Sequence, residues 1–267
     1  MPIDHGNLFQ AAASLVGVEA LADADVGERF RRLMASLTRF DHVVVFAYRG
    51  EQRPIDLYAT FNEKEHELFV SLYQDGAYLL DPFYWNATAA GAGVFRMREL
   101  APDRFFSSEY YRTYYGQTGL AEEVGFFVTL SGDVTIVLSL MRKEVSGVFS
   151  ASEFALLKQA EPLVAAIVRH FWADTGKRFD AARASRKRGH VDGPGPQRIW
   201  RDLNLTAREA AIIELVLQGH SSESIGLRLN IATGTVKVHR RNVYRKLGIS
   251  SQIQLLSLYL ETLPTTA

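Results

Sequence analysis

Apolar positions along the first part of the chain change period several times, and each change marks an element. Between Val26 and Thr38, Phe30, Leu33, Met34 and Leu37 recur at the three- and four-residue spacing that gathers them on one side of a helix. His42 to Tyr48 (HVVVFAY) is an apolar run of strand length, and Asp56 to Thr60 is its expected partner strand. Helical spacing returns with Leu68, Phe69 and Leu72, which predict a helix over Glu63 to Tyr73. Asp81-Pro82 interrupts it, because proline disfavours helical backbone in the preceding residue. Gly91 to Gly93 reads as a turn and Ser107 to Tyr115 as a short aromatic helix. Phe126 to Leu130 and Val134 to Leu140 read as strands joined through Ser131-Gly132-Asp133, a hairpin signal. Ser150-Ala151-Ser152-Glu153 has the form of a capping box, in which serine and glutamate side chains take two otherwise free N–H groups. It opens a helix to about Trp172, with a kink expected at Pro162.

Helix, strands, helices, hairpin and helix predict an α/β/α sandwich of the GAF or PAS sensor kind over residues 1–172. A second pattern begins at Leu203 and is wholly helical, so the expected fold class is α+β. Thr206-Ala207-Arg208-Glu209 is a second capping box, followed by the apolar stripe Ile212, Ile213, Val216 and Leu217 and a stop at Gly219. Ser222 to Leu229 is the next helix, Asn230 to Thr233 a turn, Gly234 to Leu247 a third helix ended by Gly248, and Ser251 to Leu260 a fourth. This helix-turn-helix domain spans 203–267. Between the domains, 173–202 holds Lys177, Arg178, Arg183, Arg186, Lys187 and Arg188, then Gly193-Pro194-Gly195-Pro196. Glycine and proline deny it a regular element, and it reads as a flexible basic linker, either plain solvated charge or added phosphate attraction.

The formal net charge of zero divides sharply: residues 1–172 carry −7 and residues 173–267 carry +7. Such asymmetry is expected when only the back half meets a polyanion. The third helix of that half shows Lys237, Arg240, Arg241, Arg245 and Lys246 on its outward face, with no acid, a cationic surface suited to the major groove. The chain has no cysteine, which excludes disulfides, thiol catalysis and zinc–thiolate sites. No apolar run is long enough to span a bilayer and no secretory leader is evident, so a cytoplasmic location is expected. His66 and Glu67 lack metal-ligand spacing, and Ser131-Gly132-Asp133 is a hairpin turn rather than a nucleophile elbow. No enzymatic activity, metal or cofactor is expected.

Leu205-Thr206-Ala207-Arg208-Glu209, Gly219, Thr235-Val236-Lys237-Val238-His239, Asn242 and Lys246-Leu247-Gly248-Ile249-Ser250 stand at the spacings of the LuxR/FixJ-type helix-turn-helix family, which the last domain closely resembles. The resemblance implies a transcriptional regulator that binds double-stranded DNA. It implies that Lys237, Val238 and Arg241 approach base edges, and that Thr235, His239, Arg240 and Arg245 lie nearer phosphates. Glu209 and Gly219 would be structural. The fourth helix would form a homodimer contact through Leu255, Leu256 and Tyr259. Two positions depart from the family. Ala232 replaces a serine, so Thr233 is the expected helix cap. Gly226 replaces an alanine, at about 1 kcal/mol of helix preference.

The front domain crowds Tyr73, Tyr78, Phe83, Tyr84 and Trp85 around Asp81-Pro82. Its Asp-Pro pair, Gly125 and Ser139 resemble the autoinducer-binding domain of quorum-sensing LuxR regulators. The resemblance implies that Asp81 accepts a hydrogen bond from an effector amide and that Tyr73 meets an acyl carbonyl. Phe69 stands near the tryptophan that would hold a lactone carbonyl, and Met97 takes a second aromatic position. Phenylalanine cannot donate that bond, and the unpaired polar atom would cost roughly 1–3 kcal/mol. The expected effector is therefore a different small amphipathic organic molecule, with Trp85 lining its site. The alternative is a ligand-independent regulator whose front domain is a structural dimeriser. A phosphorylated receiver domain is excluded, because Arg49-Gly50-Glu51-Gln52 follows HVVVFAY and the alternation of strands and helices is missing.

Overall fold

The computed structural model describes residues 5–113, 115–189, 200 and 203–261. The front half is built on an antiparallel sheet in the order β2-β1-β5-β4-β3. Its strands are β1 (His42–Arg49), β2 (Ile55–Ala59), β3 (Gly93–Arg96), β4 (Leu120–Thr129) and β5 (Val134–Lys143). Both faces are covered, which explains why β1 and β5 read as nearly unbroken apolar runs. On one face Val43, Val45, Val124, Phe126, Ile136 and Leu138 pack beneath α1 (His5–Ala13), α2 (Asp23–Leu37) and α8 (Ala151–Phe171). On the other, Val44, Phe46, Tyr48, Phe127, Val137 and Met141 meet a layer of short helices. That layer comprises α3 (Glu63–His66), a π-turn over Glu67–Ser71, α4 (Leu72–Gln74), α5 (Pro82–Thr88), α6 (Met97–Leu100) and α7 (Glu109–Thr113), with 3₁₀ turns between them. The expected three-layer α/β/α arrangement is the one formed.

Local chemistry sets the boundaries. Ser150 and Glu153 form the capping box that starts α8. Asp81 caps α5, accepting from the Phe83 N–H at 2.8 Å, with Pro82 in the first turn, where its missing N–H costs nothing. The sequence patterns miss α1 and β3, and they start β4 late, since Glu122 and Glu123 disguise its first residues. They also misplace the linker. Residues Thr175–Gly189 form a helix, α9, held by buried Phe179, by an Arg178–Asp23 ion pair and by an Arg49–Asp180 ion pair at 2.6 Å. Three side chains thus tie a polar segment to the sandwich. Gly193-Pro194-Gly195-Pro196 lies outside the described residues.

The second domain comprises α10 (Ala207–Leu217), α11 (Ser222–Leu229), α12 (Thr233–Leu247) and α13 (Gln252–Glu261). Thr206 and Glu209 form the expected capping box. Asn230 and Gly248 end α11 and α12 in left-handed backbone. Thr233 does not act as the cap expected of it. It lies inside α12, and Ala232 at the cap position offers no side-chain bond. No helix among the described residues is long and apolar enough to cross a membrane.

Candidate functional site

Two sites emerge. The first is the outer face of α12. Val236 and Val243 fix its inner face by full burial, which turns Thr235, Lys237, Val238, Arg241 and Arg245 outward. His239 and Arg240 are half-buried at the edge of that face, and Arg240 donates to the Ser222 hydroxyl at 3.2 Å. Val238 is 44% exposed, an apolar side chain on a cationic surface, where a thymine methyl is a suitable partner. Lys246 is exposed as expected but is tied inward by an ion pair. Its Nζ lies 2.7 Å from the Glu209 carboxylate, and Glu209 is buried. Burial pushes Glu209 upward, but Lys246 and the Thr206 hydroxyl and N–H more than offset it, so the carboxyl lies below its usual range. Lys246 therefore braces α12 against α10.

The second site is a cavity of about 40 Å³ on the short-helix side of the sheet. Strand alternation builds one wall: Val44 and Phe46 from β1, Glu123 from β4, and Ser139 and Met141 from β5. The π-turn carries Phe69, α4 carries Tyr73, and α7 carries Tyr110. Asp81 is buried, and its second oxygen accepts from the Tyr73 hydroxyl at 2.7 Å. The Tyr73 oxygen lies 2.7 Å from that of Tyr48. Glu123 is buried as well and accepts from the Tyr115 hydroxyl at 2.8 Å. Burial pushes Asp81 up to about 6, against the Tyr73 hydroxyl and the Phe83 N–H. Burial and the charge of Asp81 push Glu123 up to about 8, against the Ser139 and Tyr115 hydroxyls.

Of the residues singled out from sequence, Phe69, Tyr73, Asp81 and Ser139 line this cavity. Trp85 does not. It is 38% exposed on the outer side of α5, beside the Tyr84 ring. Met97 is buried at the start of α6, away from the cavity wall. Gly125 serves packing: a Cβ there would stand 2.7 Å from the Phe83 ring. Glu123 was not singled out. Its signal lay in the alternation, since Val124 and Phe126 face one side of β4 and Glu123 and Phe127 face the other.

The two sites are joined by the segment between α6 and α7. Phe105 packs its ring against Tyr110 and Tyr115, both of which line the cavity. The same segment grips the second domain. The Arg104 N–H donates to the Gly219 carbonyl at 2.9 Å, and the Asp103 carboxylate accepts from the Ser221 N–H at 3.0 Å, at the start of α11. Burial would raise Asp103, but Ser221 and nearby His220 more than offset it. Burial pushes His220 down to about 4, with Arg228 adding to the effect. Gly219 has a φ of +95°, and a Cβ there would lie 2.7 Å from the Phe105 Cα.

The expected dimer contact is also corrected here. Leu255, Leu256 and Tyr259 are buried within the chain. Tyr259 stacks on Trp200 with ring centres 5.5 Å apart, and burial together with Tyr78, Glu214 and Tyr84 pushes its hydroxyl pKa up. Ile253 and Leu260 are the large apolar residues that α13 leaves exposed.

Residues 203–259 match the family of bacterial regulatory proteins called the luxR family, GerE. The HTH-type transcriptional regulator of the exeN 3' region of Aeromonas salmonicida is 32% identical over 189 residues, which span 69% of this chain and 95% of that protein. The solved VqsR LBD domain of Pseudomonas aeruginosa is 26% identical, covers 62% of this chain and 94% of its own, and superposes with a TM-score of 0.50. Escherichia coli SdiA aligns over 97% of each chain at 19% identity, with a TM-score of 0.42. With nearly the whole Aeromonas regulator matched and the family model spanning 203–259, the chain belongs to the LuxR family of bacterial HTH-type transcriptional regulators.

Proposed function

We propose that a small organic molecule in the front domain controls when α12 lies in the major groove of an operator, in a protein that works in the cytoplasm as a homodimer. The observation that carries this reading is the continuity between cavity and DNA domain: Tyr110 and Tyr115 line the one, Phe105 packs on both, and Phe105 abuts Gly219 of the other. About 40 Å³ holds only a few water molecules. Any larger ligand therefore binds a widened arrangement better than this one, which is the differential affinity that a switch requires. Widening at Tyr110 and Tyr115 displaces Phe105, and with it the Asp103–Ser221 and Arg104–Gly219 bonds. Likeness to the VqsR LBD domain supports a ligand-binding role for the front half.

The decisive measurement pairs thermal shift with operator binding. A metabolite that raises the melting temperature by mass action must also change operator affinity. Asp81→Ala must remove both effects. A metabolite that stabilises the chain while leaving operator affinity untouched favours the dimeriser reading instead.

A further inference from the structure

Two buried carboxylates in one small cavity are an unusual lining. Asp81 is 8% exposed and Glu123 is 5% exposed, and among the described residues no lysine, arginine or histidine lines the space between them. The remaining wall is largely aromatic, with Phe69, Tyr73, Tyr110 and Tyr115 among its members. Burying carboxyl groups without a cationic partner is costly, and here the hydroxyls of Tyr73 and Tyr115 and the Phe83 N–H supply hydrogen bonds but no charge. A neutral amide can use one carboxylate as its acceptor and leaves the second group protonated, the form in which burial already holds Glu123. A protonated amine uses both, because an ammonium group has three donors and a full charge, and aromatic faces attract it as well.

We infer that the effector of this chain is a small organic cation, an alkylammonium whose head group sits between Asp81 and Glu123. The assignment rests on the ligand-controlled reading above and deepens it by naming the chemistry of the ligand. Glu123 is the residue that sets the class: it comes from β4, across the cavity from the Asp81 cap of α5. The cavity accommodates the head group, and the alkyl chain displaces the Phe69 and Tyr110 side of the wall.

The test is titration calorimetry on the full chain with hexylammonium chloride, 1-hexanol and N-hexanoyl homoserine lactone, each paired with operator binding. Hexylammonium should bind and 1-hexanol should not. Glu123→Gln and Asp81→Asn should each weaken hexylammonium by about tenfold or more. The amides are close in shape to the protonated acids, and cooperative unfolding of each variant checks its fold. The contrast between amine and alcohol on the unaltered chain decides the matter even where a variant misfolds. Equal binding of amine and alcohol, binding of the lactone alone, no binding by hexylammonium, or unchanged amine affinity in a folded Glu123→Gln protein overturns the cation assignment. If the lactone binds and shifts operator affinity, ligand control survives without the cation. If hexylammonium binds and operator affinity stays fixed, the cation survives and ligand control does not.

Discussion

Replacing Glu123 by glutamine should make the chain more stable at alkaline pH, and the size of the gain follows from the burial of that carboxyl. In the folded chain its pKa rises from 4.5 to about 8. The folded state therefore prefers the protonated form. Its stabilising contribution is complete below the unfolded value and is lost as pH rises through the folded one. One pKa unit corresponds to about 1.4 kcal/mol, so the full loss is about 5 kcal/mol, of which about 4 kcal/mol falls between pH 5 and pH 9. Glutamine at this site carries no ionisation and escapes the loss. Other groups titrate in or near the same window. Asp81, raised to about 6, acts in the same direction. His220, lowered to about 4, acts oppositely, since its protonation as pH falls below 6.5 opposes folding. His220 persists in the variant and cancels on subtraction, whereas the charge of Asp81 is part of what raises Glu123, so the difference curve reports the acidic pair. Denaturant unfolding of both proteins across this range is the assay. Parallel curves would refute the reasoning, because they would mean that the charged carboxylate is already compensated.

The combined change Lys237→Ala and Arg241→Ala should abolish operator binding at moderate salt and leave the melting temperature unchanged, since both side chains are exposed; retained affinity would remove α12 from its assigned role. Gly219→Ala should destabilise the full chain by roughly 1–3 kcal/mol, from left-handed backbone and a clash with the Phe105 Cα, as read by thermal melting; a neutral result would show that the contact between domains yields freely. Gly226→Ala should lower stability instead of recovering the roughly 1 kcal/mol of helix preference that alanine offers, because its Cβ would meet the Ile231 carbonyl oxygen at 2.7 Å. A gain in stability would mean that the turn between α11 and α12 relaxes.

What the sequence reveals here depends on the range over which each signal acts. Capping boxes at Ser150 and Thr206 are complete within four residues, and both form as read. The strands β1 and β5 announce themselves by composition. By contrast, α9 has almost no apolar stripe, so its helical form depends on the burial of its own Phe179 and on Arg49 and Asp23 meeting it in space. The apolar row Leu255, Leu256 and Tyr259 was legible as a surface to be covered. What covers it was not, because the answer lies in Trp200 and in tyrosines of the other domain. Gly226 illustrates the same limit: its sequence reading as a weak helix former is sound, yet the nearby Ile231 carbonyl gives the glycine a purpose. The cavity was half legible. Asp81 stood out beside its proline, whereas Glu123 looked like surface charge until β4 was given its full length.

The stacked pair of Trp200 and Tyr259 has an optical consequence. The chain has three tryptophans; Trp85 is partly exposed, whereas Trp172 and Trp200 are buried. Of these, Trp200 is held by the Tyr259 ring of α13. Loss of that stack would wet its indole and move its emission to longer wavelength, so the unlabelled protein carries its own fluorescent gauge of how firmly α13 is docked.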